Sequence, residues 1–382
     1  MTKTDQNQSL SKKITFFFIS ILFSFVIVVL ITAGYFVYKK LSLSYDYCKS
    51  FGKIDTEIGW TLKKNISSCL TLSNSISGEV FFDTEIFTDI NGFRSAASGS
   101  NVISSILAIG DSWTFGYGVN QDETYPFFLS RLLGEPVHNS GVPAYGSASN
   151  YLYAKSNIEK LRPKTVIYLT LGMFRRSVCL KPWKDYEKVS LETGFSMHQK
   201  QLIPCYLIDQ NTLKVKLMKP LPLIVNESVD KNIYPGGSLT AGYDSFWKYV
   251  FFTKPKLAIQ SIKERFGLAT VKNSSLFEEY YFKKHELNAL LDLAYEYNFQ
   301  LVLIDPISEY KQLILNNDVN NIKNLLYIGQ EKWTESVLDK SIGLPPEDIS
   351  VPMDGHFGKG VNRLIANLIY KEISTNNSNS ID

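Results

Sequence analysis

Two short runs of the sequence carry groups suited to one reaction. The apolar run Leu107-Ala108-Ile109 stops at Gly110-Asp111-Ser112, and near the C-terminus Met353-Asp354-Gly355-His356-Phe357-Gly358 sets a carboxylate two positions before a histidine. A serine hydroxyl is a weak nucleophile until a neighbouring base takes its proton. A histidine base in turn needs an acceptor on its second ring nitrogen to hold the working tautomer. Ser112, His356 and Asp354 are therefore the candidate nucleophile, base and orienting acid of acyl transfer. Each fragment alone is a weak signal: Gly-Asp-Ser is common turn chemistry, and a lone histidine is more often structural. What singles out His356, one of four histidines in the chain, is its place in a loop directly ahead of an amphipathic helix.

Such groups act only if a scaffold brings them together. From Val102 onward, apolar strands alternate with amphipathic stretches, the pattern of a parallel sheet with crossover helices. The reading places strands over 102–109, 136–139, 165–171 and 300–304. It places helices over about 124–133, from Tyr151 with Ala154, Ile158 and Leu161 on one face, over about 276–297, over roughly 320–338, and over 359–373. The last helix carries Val361, Leu364, Ile365, Leu368 and Ile369 on one face, which must dock on the sheet. A serine at the carboxyl end of a parallel strand stands where open α/β sheets bind their ligands. Residues 177–275 interrupt the rhythm with prolines and the aromatic run 246–252, and read as an insertion that shapes a cleft or lid.

The ordered pair of runs resembles the first and last blocks of the SGNH (GDSL-like) hydrolase superfamily, in its membrane-anchored bacterial envelope type. The resemblance extends to Asn91-Gly92-Phe93-Arg94, to Trp113 through Val119, and to Asn139 through Gly146, and covers roughly residues 85–175 and 280–373. It implies a flavodoxin-like three-layer α/β/α sandwich with a parallel sheet and acyl-ester chemistry without a cofactor. It also implies an oxyanion hole built from the serine N–H, a second-block glycine and a third-block asparagine. Here the second-block position reads Ala144, flanked by Gly141 and Gly146, and the third block reads Gly172-Met173-Phe174-Arg175-Arg176 in place of Gly-x-Asn-Asp. Ala144 and Gly141 remain candidate backbone donors. Arg175 and Arg176 are candidates to supply positive charge where the asparagine is missing, with salt bridges to the insertion as the alternative. The family's Asp-x-x-His spacing is shortened to Asp-x-His.

The rest of the chain bears on where this chemistry happens. Residues 14–38 carry no charge and are flanked by Lys12-Lys13 and Lys39-Lys40, long enough to cross a bilayer and without a good small-x-small cleavage site. The expectation is a cytoplasmic N-terminus (1–13), a transmembrane signal-anchor (14–38), a tether and irregular flap (39–84), the α/β domain (85–373) and a disordered tail (374–382). The four cysteines fall into local pairs, Cys48 with Cys69 and Cys179 with Cys205. Disulfides there would suit an extracytoplasmic (periplasmic or extracellular) domain, with four free thiols as the alternative. The net charge of +3 shows no basic stripe, so nucleic acid is not an expected partner. No metal-ligand spacing and no phosphate-binding glycine pattern is present. The expected partners are the membrane, through residues 14–38, and an acyl-ester or carbohydrate substrate. The expected function is an esterase or O-acyltransferase acting on a cell-envelope carbohydrate or related ester. The alternative is a weak or inactive domain of this type that binds glycan or an envelope partner.

Overall fold

Short apolar runs buried on both faces are the mark of parallel strands covered by helices on either side. The computed structural model of the chain describes residues 17, 19–29, 31–32, 43–55, 57–96, 99–101, 103–171, 204–208, 212, 214–218 and 274–379. Within them, β7 (Ile106–Ile109), β8 (Val137–Asn139), β9 (Thr165–Leu169), β12 (Gln300–Ile304) and β13 (Leu325–Ile328) form a parallel set. Their spatial order is β8-β7-β9-β12-β13. In chain order this is 2-1-3-4-5, the arrangement of a doubly wound sheet whose switch point lies between the first and third strands. The fold is mixed α/β with a mostly parallel central sheet.

The two faces of the sheet follow from the strand period of two. Ile106 and Ala108, Ile167 and Leu169, and Val302 and Ile304 point to one face, against Tyr125 and Leu129 of α2 (Tyr125–Leu133) and Val361, Ile365 and Ile369 of α5 (Lys359–Asn379). The alternate residues Leu107, Val166, Tyr168, Leu301 and Leu303 are also buried. That face is covered by α3 (Ser147–Leu161) and α4 (Ser274–Tyr297), and Tyr168 hydrogen-bonds Glu286 of α4. A four-residue helix, α1 (Ser112–Phe115), follows β7.

The chain divides into two compact units, Met1–Tyr45 with Leu72–Phe81, and Asp46–Thr71 with Phe82–Asp382. The stretch read as tether and flap, residues 39–84, is regular strand over much of its length. β1 (Leu43–Tyr47), β4 (Ser67–Asn74) and β5 (Val80–Thr88) join the sheet through β6 (Arg94–Ser95), in the order β1-β4-β5-β6-β8. β2 (Gly52–Asp55) and β3 (Gly59–Leu62) form a separate hairpin. The reason is alternation: β4 buries every second residue despite its many serines and threonines. Within the first unit, residues 17, 19–29 and 31–32 are helical with exposed apolar side chains, and the other positions of 14–38 lie outside the described residues. Among the described residues no helix is long and apolar enough to cross a membrane.

Three further expectations change. The helix expected over 320–338 contains β13, because Leu-Leu-Tyr-Ile is an apolar run too short for periodicity to tell strand from helix. The last helix runs to Asn379, past the expected start of a frayed tail at Ser374. On α3 the deeply buried positions include Ala148, Tyr153, Ala154 and Ile158, while Tyr151 and Leu161 are only half-buried. Of the insertion, β10 (Cys205–Ile208) and β11 (Val215–Met218) form an antiparallel hairpin whose Tyr206 and Ile208 pack on Ala148 and Phe282. Most of 177–275, including the aromatic run, lies outside the described residues.

Candidate active site

The nucleophile candidate sits at the switch point of the sheet. β7 ends at Ile109, Asp111 caps α1 by accepting the Trp113 N–H at 3.0 Å, and Ser112 opens the helix with its side chain nearly buried. The loop after β8 is laced to the end of β7: Ser140 N–H donates to Ala108 O at 2.9 Å and Val142 N–H to Gly110 O at 3.0 Å. Gly141 between them lies so close to α1 that a Cβ there would stand 2.3 Å from the Phe115 nitrogen. Only glycine permits that approach.

Arg94 holds the other end of the loop that carries Ser112. Its guanidinium is buried, lies 4.6 Å over the Phe115 ring, and donates to Phe115 O at 2.8 Å and to the carbonyls of Gly116 and Val119. Burial pushes its pKa down to about 9, with the charges of Glu123 and Asp122 opposing, so the group is protonated at neutral pH. A planar fork of donors can satisfy several carbonyls at once, which an ammonium on a flexible stem does less well. The sequence marked Arg94 only as part of Asn-Gly-Phe-Arg. The sole signal for its role was a cation placed just ahead of the first core strand.

The histidine loop is built as tightly. Val351 N–H donates to His356 O at 2.7 Å, Gly355 N–H to Val351 O at 3.1 Å, and Ser350 bridges Phe357. Asn362, buried at the start of α5, accepts the Tyr125 N–H at 3.0 Å and donates to Phe357 O and Gly358 O, each at 3.0 Å. It thereby ties the histidine loop to the start of α2. Its signal in the sequence is an asparagine set beside Val361 and Ile365 on the apolar face of the last helix.

These loops bring Ser112 and His356 together across 244 residues: His356 Nε2 lies 2.7 Å from Ser112 Oγ. Asp354 Oδ1 is hydrogen-bonded to His356 Nδ1, and the Asp354 side chain is largely covered. The imidazole is further held by the Trp113 ring, centroids 4.8 Å apart, and the Tyr117 ring at 5.0 Å. With Nδ1–H donating to Asp354, Nε2 is free to accept the serine proton. That is the tautomer a general base needs.

The candidate oxyanion donors separate into three groups. Ala144 has a left-handed backbone, φ 67°, a conformation more natural to the glycine expected there. Among the described residues, neither its N–H nor that of Ser112 meets an acceptor. The Gly141 N–H, by contrast, donates to Asn139 Oδ1 at 3.1 Å. Gly172, Arg175 and Arg176 lie outside the described residues. Cys48 and Cys69 form the expected disulfide, and Cys179 lies outside the described residues. Among the described residues no group of histidine, cysteine, aspartate or glutamate is placed to hold a metal ion.

No family model matches the chain, and no curated protein matches it. Among solved structures it is similar to a lipolytic protein of the G-D-S-L family from Desulfitobacterium hafniense DCB-2. The identity is 14%, over 70% of this chain and 98% of that one, with a TM-score of 0.32. It is also similar to a carbohydrate esterase family 2 enzyme with a carbohydrate-binding domain from Corynascus thermopiles (Myceliophthora fergusii). There the identity is 10%, over 87% of this chain and 92% of that one, with a TM-score of 0.32. Likeness at this level carries no functional argument, and the chemistry must be read from the side chains.

Proposed function

We propose that the protein is a serine-dependent acyl-ester hydrolase or O-acyltransferase. The observation that carries this reading is the Ser112 Oγ to His356 Nε2 distance of 2.7 Å with Asp354 on Nδ1. His356 Nε2 takes the hydroxyl proton as Ser112 Oγ attacks the ester carbonyl carbon, and the imidazolium is stabilised by Asp354. The carbonyl oxygen gains the negative charge, and the N–H groups of Ser112 and Ala144 are the donors available to it. When the tetrahedral intermediate collapses, the C–O bond to the alcohol breaks and His356 returns its proton to the departing oxygen. In the second half-reaction water or a sugar hydroxyl gives its proton to His356 and attacks the acyl carbon; the bond from that carbon to Ser112 Oγ then breaks and His356 returns the proton to Oγ.

The substrate class we propose is an O-acylated cell-envelope carbohydrate or related ester. The chain would be held at the membrane through residues 14–38, with its catalytic unit on the extracytoplasmic side. The uncharged 25-residue run and the Cys48–Cys69 disulfide, which an oxidising compartment favours, support that placement. A fluorophosphonate probe tests the core of the reading: wild type is labelled, and Ser112→Ala is not. Absence of labelling in wild type would favour a binding domain of the same fold. Release of acetate from p-nitrophenyl acetate, with and without an oligosaccharide acceptor, then separates hydrolysis from transfer.

A further inference from the structure

The catalytic pair is braced from a part of the chain outside the α/β core. Tyr117, in the loop after α1, is buried, and its ring contacts His356 at 5.0 Å between centroids. Its hydroxyl is 3.0 Å from the hydroxyl of Tyr47, the last residue of β1. Tyr47 is fixed in turn. Cys48, the next residue, is disulfide-bonded to Cys69 of β4 and donates its N–H to Cys69 O at 3.3 Å. The Tyr47 ring also lies 5.8 Å from Phe51, which stacks at 5.8 Å and 7° on Phe115 of α1. The Tyr117 loop meets the histidine loop directly: a Cβ on Gly118 would stand 2.6 Å from Val351 Cγ1, and Val351 is hydrogen-bonded to His356. Tyr47 therefore connects a stapled N-terminal arm to the imidazole through a single intervening ring. Burial and the nearby charge of Asp354 hold its phenol in the neutral form.

We propose that the Tyr47–Tyr117 hydroxyl pair is a positioning device for His356, through which the arm of residues 46–71 sets the rate of serine attack. Both act on the imidazole through the Tyr117 ring and are therefore positioning residues. The loss of either releases the Tyr117 ring against which the imidazole rests, and an ångström of freedom there misaligns Nε2 with Ser112 Oγ. The inference rests on the serine-nucleophile reading given above.

The test uses the full chain in detergent with Tyr47→Phe, Tyr117→Phe and the double variant, each of which keeps the rings and removes only oxygen. The readouts are the rate of Ser112 labelling by a fluorophosphonate, kcat and KM for p-nitrophenyl acetate, and the thermal midpoint. Each single variant is expected to slow labelling and lower kcat about tenfold at unchanged KM. The double variant should be no slower than the singles, because the two hydroxyls act as one unit. Labelling at the wild-type rate in both single variants overturns the proposal. So do losses that add in the double variant and track a falling thermal midpoint, which would mark a merely structural role. Should Tyr117→Phe fail to fold, Tyr47→Phe at its less deeply buried site carries the same test. Failure of wild type to label at all is a separate result: it overturns the nucleophile reading, and the proposal with it.

Discussion

The guanidinium of Arg94 lies 4.6 Å over the ring of Phe115 while donating to that residue's own carbonyl at 2.8 Å. One buried cation thus grips both the side chain and the backbone of the helix that opens with Ser112. Its other acceptors, the carbonyls of Gly116 and Val119, lie in the following loop. Arg94→Ala removes three charge-assisted bonds and leaves Phe115 O and Gly116 O with only the longer bonds from Asn139 Nδ2 at 3.4 Å and the Val119 N–H at 3.3 Å, which is expected to lower stability by about 3 kcal/mol. Arg94→Lys is expected to recover less than half of that, because one ammonium cannot match the fork. Urea denaturation of the three proteins measures both numbers.

Asp354 is hydrogen-bonded to His356 Nδ1, the ring nitrogen opposite the one that faces Ser112. Asp354→Asn presents that nitrogen with an amide and favours the tautomer with the proton on Nε2, where it blocks proton transfer from Ser112. The expected loss is on the order of 10³ to 10⁴ in kcat with little change in KM. Steady-state kinetics on p-nitrophenyl acetate and the labelling rate should fall in parallel. A loss confined to KM would mean that Asp354 binds substrate.

Gly141 offers a test of geometry without touching any ionisable group. The methyl of Gly141→Ala would sit 2.3 Å from the Phe115 nitrogen, so α1 or the β8 loop must shift. A displacement approaching an ångström at the nucleophile is expected to cost up to about 10² in kcat. A drop in kcat with the far-ultraviolet circular dichroism unchanged would show it.

Glu286 gives the fold a pH signature. It is fully buried, accepts hydrogen bonds from Tyr168 and Tyr310 at 2.9 Å each, and burial pushes its pKa up to about 7. A carboxyl whose folded pKa exceeds its unfolded value binds more protons in the folded state between the two. Stability therefore falls as pH rises from about 4.5 to about 7 and levels off above. Glu286→Gln removes that slope. Between pH 5 and pH 8, wild type should lose roughly 2 kcal/mol relative to the variant. A constant difference across this range would refute the assignment.

How much of this was legible beforehand depended on distance along the chain. The end of β7 follows from a local change, an apolar run stopping at Gly-Asp-Ser, and the bounds of β12, an apolar run stopping at Asp305-Pro306, are legible for the same reason. The closeness of Ser112 and His356 was legible because two local patterns, strand end and helix start, each placed one partner near the sheet's carboxyl edge. Arg94, Asn362 and Tyr47 carry no such local pattern. Their partners lie 21, 237 and 70 residues away, and only the packed fold decides what they face. β13 was missed because four apolar residues fit either period. The strands of residues 43–74 were missed because serines and threonines, read as loop composition, occupy the alternate faces of half-buried strands.

β6 is two residues long, yet it pairs antiparallel with β5 on one side and with β8 on the other, where Arg94 faces Asn139. The residue that grips the loop after Ser112 is therefore also the one that seals the outer margin of the parallel strands. A polypeptide begun at residue 102 would lose both at once. Its β8 would present unpaired amides and carbonyls along an open edge, a template on which a second such polypeptide could add. Shortening the protein from that side should yield self-association before it yields a smaller folded unit.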